Sequence, residues 1–247
     1  MERTDFYINS KNYAIPVTEY IGGDGPVTVA LHGFGGDRNS SVIRRLAEKT
    51  GNVVCFDLPA HGDSPAPDTA LTAENCMSDF AVVLSNVRNK YPGREVRFFA
   101  TSFGGYILLN CLDLVNENEK IVLRAPAVKM AETYRDVIAR SDESEILERE
   151  FSTCGFERKI NVTPEYYVSL LRHDAMSARD REMLIIHGDM DTAVLPADID
   201  EFCVSHPSAV LVKMNGADHR LKGEGQTDDL ISHATKWFGV GTMVKKG

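Results

Sequence analysis

Glu95-Val-Arg-Phe-Phe-Ala-Thr-Ser102-Phe-Gly-Gly105-Tyr-Ile-Leu-Leu-Asn-Cys-Leu112 changes character at its midpoint. The residues up to Ala100 are mostly apolar and suit a strand. Those after Gly105 are helix formers. Between them, Ala100-Thr101-Ser102-Phe103-Gly104 must turn sharply if a strand is to run straight into a helix. Ser102 then stands at the apex, its hydroxyl directed away from the sheet. Gly104 and Gly105 carry no side chain, so the helix can begin close against the strand. The pentapeptide reads as G-x-S-x-G with Ala100 in the first glycine position, and alanine is the next smallest residue.

Outward from that turn the chain alternates between two periods. Val27–Leu31, Asn52–Phe56, Lys120–Leu123 and Met183–Ile186 are short continuous apolar runs, the pattern of strands covered on both faces. Between them lie helical stretches at 40–49, 72–90 and 102–114. The first of these is capped by Asn39 or Ser40. The second is capped by Thr72, and its apolar face is formed by Met77, Phe80, Ala81, Leu84 and Val87. Helices at 196–204 and 228–237 flank a last strand at 209–212, and two short strands within 4–21, joined near Ser10-Lys11, open the chain. Strands alternating with helices imply an α/β fold: a mostly parallel central sheet with helices on both faces. The pattern breaks at 127–181, which is charged and mostly helical and has no clear apolar strand. We read this segment as a small cap inserted over the carboxyl edge of the sheet, within one domain spanning residues 1–247. Gly239 to Gly247 reads as a frayed tail.

Composition narrows the function classes. The chain has 247 residues, 43% hydrophobic and 26% charged, enough to bury a sizeable core. A net charge of −9 argues against nucleic acid as a partner and leaves no basic patch for a membrane surface. No apolar run approaches a membrane span, and the first ten residues have no signal core. Cys55, Cys76, Cys111, Cys154 and Cys203 are odd in number and widely spaced, which predicts reduced thiols in a cytoplasmic protein. No set of histidines has metal-ligand spacing, so neither metal nor other cofactor is expected.

Three polar groups fall just beyond predicted strand ends: Ser102, the Asp189/Asp191 pair, and His219. Ligands of open α/β sheets bind at the carboxyl ends of strands. The order Ser, acid, His, together with the Gly-rich loop His32-Gly-Phe-Gly-Gly36, fits acyl transfer by a serine nucleophile. The backbone N–H groups of Phe34 and Phe103 would hold the oxyanion. Asp191 is preferred over Asp189 as the acid, because Asp189 still lies in the turn leaving the strand and is better used bonding local backbone. Asp218 is adjacent to His219, and neighbouring side chains seldom point to one place. His32, His61 and His187 are read as structural hydrogen-bonders.

Taken together, His32-Gly-Phe-Gly-Gly36, Asp57-Leu-Pro-Ala-His-Gly-Asp-Ser64, the Ser102 turn, His187-Gly-Asp-Met-Asp191 and Asn215-Gly-Ala-Asp-His219 resemble the successive signatures of α/β-hydrolases over residues 27–238. The size of the cap resembles that of small bacterial carboxylesterases, including cinnamoyl and feruloyl esterases. Ala60 and Ala100 stand where that family usually has glycine. The resemblance agrees on Asp191, whose H-G-x-x-D pattern falls on His187, Gly188 and Asp191. It implies a carboxylic-ester hydrolase for small-molecule esters of short-chain or aromatic acids. Gly33 and the cap residues Tyr166, Tyr167, Leu170 and Leu171 are expected at the substrate. A serine peptidase, amidase or thioesterase would use the same machinery. A non-catalytic binding protein of the same fold is a third reading. A dehalogenase would need Asp where this chain has Ser102.

Overall fold

The computed structural model describes residues 1–10, 12–153 and 158–240. Lys11, Cys154, Gly155 and the tail from Gly241 lie outside the described residues. The first strands, β1 (Glu2–Asn9) and β2 (Ala14–Ile21), form an antiparallel hairpin. β3 (Val27–Leu31), β4 (Asn52–Phe56), β5 (Val96–Thr101) and β6 (Ile121–Arg124) follow, and their residues are buried except for Thr101 at the end of β5. A long insertion follows and contains a pair of two-residue strands, β7 (Phe151–Ser152) and β8 (Asn161–Val162); beyond it come the last sheet strands, β9 (Met183–Gly188) and β10 (Ala209–Met214). The main sheet has the order β1-β2-β4-β3-β5-β6-β9-β10. Every pairing from β4 through β10 is parallel, so these strands share one carboxyl edge.

Each face of the sheet buries its own apolar cluster. On one side α1 (Ser41–Thr50) and α8 (Gln226–Phe238) pack on Ala30, Phe99, Val122 and Ile186. On the other, α2 (Ala73–Lys90), α3 (Phe103–Leu109) and α7 (Pro196–Ser205) pack on Val29, Phe98, Leu123 and Ile185. Alternate residues of each strand serve opposite clusters, as the period of a strand requires. Thr72 caps α2, its hydroxyl accepting from the Asn75 N–H at 3.2 Å. The buried stripe of α2 is rotated slightly from the predicted one: it runs through Cys76, Phe80, Val83, Leu84 and Val87, while Met77 and Ala81 lie at its edge. α3 also ends earlier than expected, at Leu109. Asn110 turns its side-chain amide back to the Tyr106 carbonyl at 2.9 Å, and a 3₁₀ turn at Leu112–Leu114 completes the stretch.

The insertion between β6 and β9 is less regular than a set of helices. α4 (Met130–Thr133) runs directly into a π-helix at Tyr134–Ala139, which ends on Arg140 at φ +52°. α5 (Glu143–Glu148), the β7-β8 pair and α6 (Pro164–Leu171) follow. Cys55, Cys76, Cys111 and Cys203 are unpaired thiols. Among the described residues no helix is long and apolar enough to cross a membrane.

Candidate active site

Ser102 sits at φ +49°, ψ −113°, a conformation that costs a non-glycine residue about 1–3 kcal/mol. The surroundings hold it there. Its N–H donates to the Arg124 carbonyl at 2.9 Å, and its own carbonyl accepts from Ala127 and Tyr106, both at 3.1 Å. The two glycines behind it are sterically required. A Cβ on Gly104 would lie 2.6 Å from the His32 carbonyl oxygen, and one on Gly105 would lie 2.9 Å from Pro126 Cβ. Ala100 is buried in β5 without disturbing the turn. Ala60 takes φ +63°, so the missing glycine there leaves a strained alanine in the loop after β4.

Three loops from three strand ends meet at Ser102. His219 Nε2 lies 3.0 Å from Ser102 Oγ, and His219 Nδ1 lies 2.7 Å from Asp191 Oδ2. The other oxygen of Asp191 accepts the N–H groups of Ala193 at 2.8 Å and Val194 at 2.9 Å. Burial pushes the Asp191 carboxyl up, but the His219 bond and these N–H groups prevail, so it titrates below the usual carboxylate range. An ionised acceptor at Asp191 fixes Nδ1 of His219 as the protonated nitrogen. Nε2 is then free to accept the Ser102 proton. Asp189 is exposed and does something else: its Oδ1 accepts the Gly216 N–H at 2.7 Å, across to the loop that carries His219. Asp218 caps its own turn, accepting from Arg220 at 2.9 Å and Leu221 at 3.1 Å.

The Gly-rich loop after β3 presses against the nucleophile. A Cβ on Gly33 would lie 3.2 Å from Ser102 Cβ. Gly33 and Phe34 therefore line the same cleft, of about 550 Å³, as Ser102 and His219. Phe103 is the first residue of α3, and a first-turn N–H has no acceptor within its own helix. Beneath this loop Asp57 accepts the Arg38 N–H at 2.7 Å and the Asp63 N–H at 2.9 Å, and it pairs with the Arg38 guanidinium. Arg38 Nη2 also reaches Asp63 at 2.8 Å. Gly62 at φ +50° is needed here, because its Cβ would fall 2.4 Å from Asp57 Cγ. His32 Nε2 accepts the Leu58 N–H at 3.1 Å, and His61 Nδ1 donates to the Pro59 carbonyl at 2.8 Å. Burial, seconded by His32, lowers His61 to about 3, so it stays neutral. His187 donates to the Val194 carbonyl at 3.1 Å.

The tyrosines of the insertion do not line this cleft, which corrects the expectation for Tyr166, Tyr167 and Leu170. All three are buried. Tyr166 stacks among Phe34 and Phe103, both with ring centroids at 5.8 Å, and Tyr134 at 5.2 Å. Burying aromatic area between loop and insertion gains more than leaving it open to solvent, and the space beside Phe34 is filled as a result. Leu171 points outward, 53% exposed. The open part of the cleft lies on the opposite side of Ser102, toward α1 and the loop after His219. Its walls include Ser40, Ser41, Ile43, Arg124, Arg220 and Lys222. The sequence reading missed these residues. Arg124, a cation ending an otherwise apolar strand, was the available signal. Among the described residues no group of three or more His, Cys, Asp or Glu side chains could hold a metal ion.

The model of the family described as serine aminopeptidase, S33, matches residues 26–176. No curated protein sequence matches the chain. Solved structures similar to it include Est1E from Butyrivibrio proteoclasticus with ferulic acid bound: 17% identity, TM-score 0.81, covering 95% of this chain and 99% of that one. Mouse alpha/beta hydrolase domain-containing protein 10 is similar at 15% identity and TM-score 0.76, covering 96% of this chain and 98% of that one. XC6422 from Xanthomonas campestris, described as an α/β serine hydrolase without a lid, is similar at 17% identity and TM-score 0.67, covering 96% and 94%.

Proposed function

The chain belongs to the serine aminopeptidase S33 family of α/β-hydrolases and is a hydrolase, and from that premise we propose that it cleaves carboxylic esters through an acyl-enzyme on Ser102. The observation that carries the reading is the unbroken hydrogen-bond chain from Ser102 Oγ through His219 to Asp191. A serine hydroxyl is a weak nucleophile at neutral pH and needs an adjacent base. His219 Nε2 takes the proton as Oγ attacks the carbonyl carbon. It returns the proton to the leaving alkoxide when the C–O bond breaks. A water molecule, deprotonated by the same nitrogen, then attacks the acyl carbon; the acid leaves and Ser102 is reprotonated. Asp191 orients the imidazole and stabilises its cation. The N–H groups of Phe34 and Phe103 bind the oxyanion, one such donor being worth about 2.7–4 kcal/mol in the transition state.

Short-chain or single-ring acyl groups suit a cleft of about 550 Å³ whose insertion side is filled by Tyr166 and its neighbours. Aminopeptidase action, which the family description suggests, is disfavoured by charge. Among the described residues the cleft is lined by Arg124, Arg220 and Lys222 against one carboxylate, Asp37, and a substrate's terminal ammonium would meet like charge. Fluorophosphonate labelling of Ser102, and turnover on a panel of p-nitrophenyl esters, aryl amides, acyl-CoAs and hydroxycinnamate esters, test the proposal. Ester turnover lost in Ser102→Ala is the expected result. Faster cleavage of aryl amides or of acyl-CoAs than of every ester would replace the reading with an amidase or a thioesterase. Neither labelling nor turnover would leave a binding protein.

A further inference from the structure

Arg124 is the last residue of β6 and is 6% exposed. Its position is tied to the nucleophile twice over: it pairs in register with Thr101, and its carbonyl accepts the Ser102 N–H at 2.9 Å. The strand alternation sends its side chain to the α1/α8 face, where it reaches the Arg220 carbonyl. That is one acceptor for a group with five donors. Nε is buried with no hydrogen-bond partner, and among the described residues no carboxylate forms an ion pair with it. The other buried arginines are provided for. Arg38 has Asp57 and Asp63. Arg97 has Glu95. Arg181 also has a buried Nε with no partner among the described residues, but its guanidinium reaches four carbonyls, those of Val115, Asn116, Glu117 and Glu119, where Arg124 reaches one. A buried cation without a counter-ion is costly unless something pairs with it.

Arg124 lines the cleft that holds Ser102 and His219, and the charged side chains that line it are mostly positive. Arg220 and Lys222 stand on the loop after His219. Across the cleft is the amino end of α1, a ten-residue helix with Ser40 as N-cap, no side-chain cap bond and no acidic residue in its first turn. Its first-turn N–H groups, with the Ser41 hydroxyl, face the site as a positive dipole end. Asp37 is the opposing carboxylate, and its Oδ1 already accepts the Asn39 N–H at 2.6 Å. Burial lowers Arg124 to about 10, against the pull of Asp218 and Asp191, which leaves it charged at neutral pH.

We propose that Arg124, together with the amino end of α1, Arg220 and Lys222, forms an anion subsite beside Ser102, and that the preferred substrates are esters whose acyl part carries a carboxylate or phosphonate-like group a few carbons from the scissile carbonyl. This rests on the ester-hydrolase reading for its chemistry but not for its binding. The anion completes the coordination of Arg124. It also neutralises a cation close to the imidazole that must itself become charged during the reaction, so it favours turnover as well as binding.

Two arms test this. In the first, kcat/KM is compared for monomethyl glutarate and dimethyl glutarate, which differ by one charge, and for methyl 4-phosphonobutyrate, all by pH-stat. The anionic esters should be favoured at least tenfold, and the ratio between the two anions identifies which is the natural one. Arg124→Leu should bring the ratio to about one, and Arg124→Lys should restore part of it. In the second arm, calorimetry on Ser102→Ala protein should show monomethyl glutarate binding at least tenfold more tightly than the dimethyl ester. Arg220→Ala and Lys222→Ala, both at exposed positions, should each weaken that binding two- to threefold even if Arg124→Leu fails to fold. Equal binding of charged and neutral esters, or a charge preference that the Arg124, Arg220 and Lys222 variants do not alter, overturns the proposal. Anion-selective binding with no ester turned over would uphold the subsite and remove the hydrolase reading instead.

Discussion

The loops at the carboxyl edge of the sheet and the insertion between β6 and β9 are held by different forces. In the loops the carboxylates are held by hydrogen bonds. Asp191 uses both oxygens, Asp57 braces Arg38 and Asp63, and Asp189 and Asp218 each accept backbone N–H groups. Hydrogen bonds are directional, so this region has one geometry, and geometry is what acyl transfer requires. The insertion is held by rings. Tyr134 packs against Tyr166, Tyr167 and Phe34, Tyr166 also packs against Phe34, and the Tyr166 hydroxyl and Thr163 Oγ1 are buried without partners among the described residues. Aromatic packing is adaptable, and it tolerates a π-helix and a two-residue sheet. The difference separates a rigid reaction centre from a wall whose shape can change without disturbing it.

That separation can be broken from either side. The largest effect is expected from Ser102→Ala, which should lower kcat on a responsive ester by on the order of 10⁴–10⁶-fold with little change in melting temperature. A variant that keeps more than a hundredth of wild-type activity would mean that another group is the nucleophile. Next comes Asp191→Asn, with a loss near 10⁴-fold. Its control, Asp189→Asn, should stay within tenfold in rate and lose under about 1 kcal/mol, because an exposed amide oxygen can still accept the Gly216 N–H. Reversal of those two results would move the acid to Asp189. On the insertion side, Tyr166→Ala should cost about 3–5 kcal/mol in denaturant unfolding. It should also widen the accepted acyl groups by opening space beside Phe34; an unchanged acyl profile would show that this wall does not limit the substrate. Smallest is Tyr166→Phe, which removes a buried hydroxyl with no partner and should stabilise by about 1 kcal/mol. A clear loss of stability there would show that the hydroxyl is bonded in solution.

The two regions were also unequally legible from the sequence. The sheet could be read because buried parallel strands are nearly continuous apolar runs, as in Val27–Leu31 and Met183–Ile186. Ser102, Asp191 and His219 could be listed because each falls just past such a run. The choice between Asp189 and Asp191 followed from distance along the loop, and in the structure Asp191 is the carboxylate that meets His219. The partner of Asp189 was harder to foresee: it lies in the facing loop rather than its own turn, and contacts between distant segments leave no local trace. The same holds for Tyr166, Tyr167 and Leu170. An apolar stripe on a short helix says that a face is buried, not whether a substrate or Phe34 buries it. Arg124 was passed over because strand periodicity weighs apolar residues and ignores a single charge at the end of the run.

Gly188 bears on how this centre could be re-engineered. A Cβ there would lie 2.2 Å from the Ala217 carbonyl oxygen, so the backbones carrying the acid and the base touch with no side chain between them. Asp189 N–H donates to Met214 at 3.1 Å and Met190 N–H to Ala217 at 3.0 Å, adding two stitches to the same seam. Mechanically the two loops are a single part, and Ser102 is the other part. In a chimera with a relative, residues 188–194 and 214–222 therefore have to be transplanted together; either loop grafted alone would carry its half of the seam into a mismatched one. Ser102 has companions of its own, Arg124, Ala127 and the loop at His32, and it meets the acid-and-base part through the contact of its Oγ with His219 Nε2 and through Arg124, which also reaches the Arg220 carbonyl.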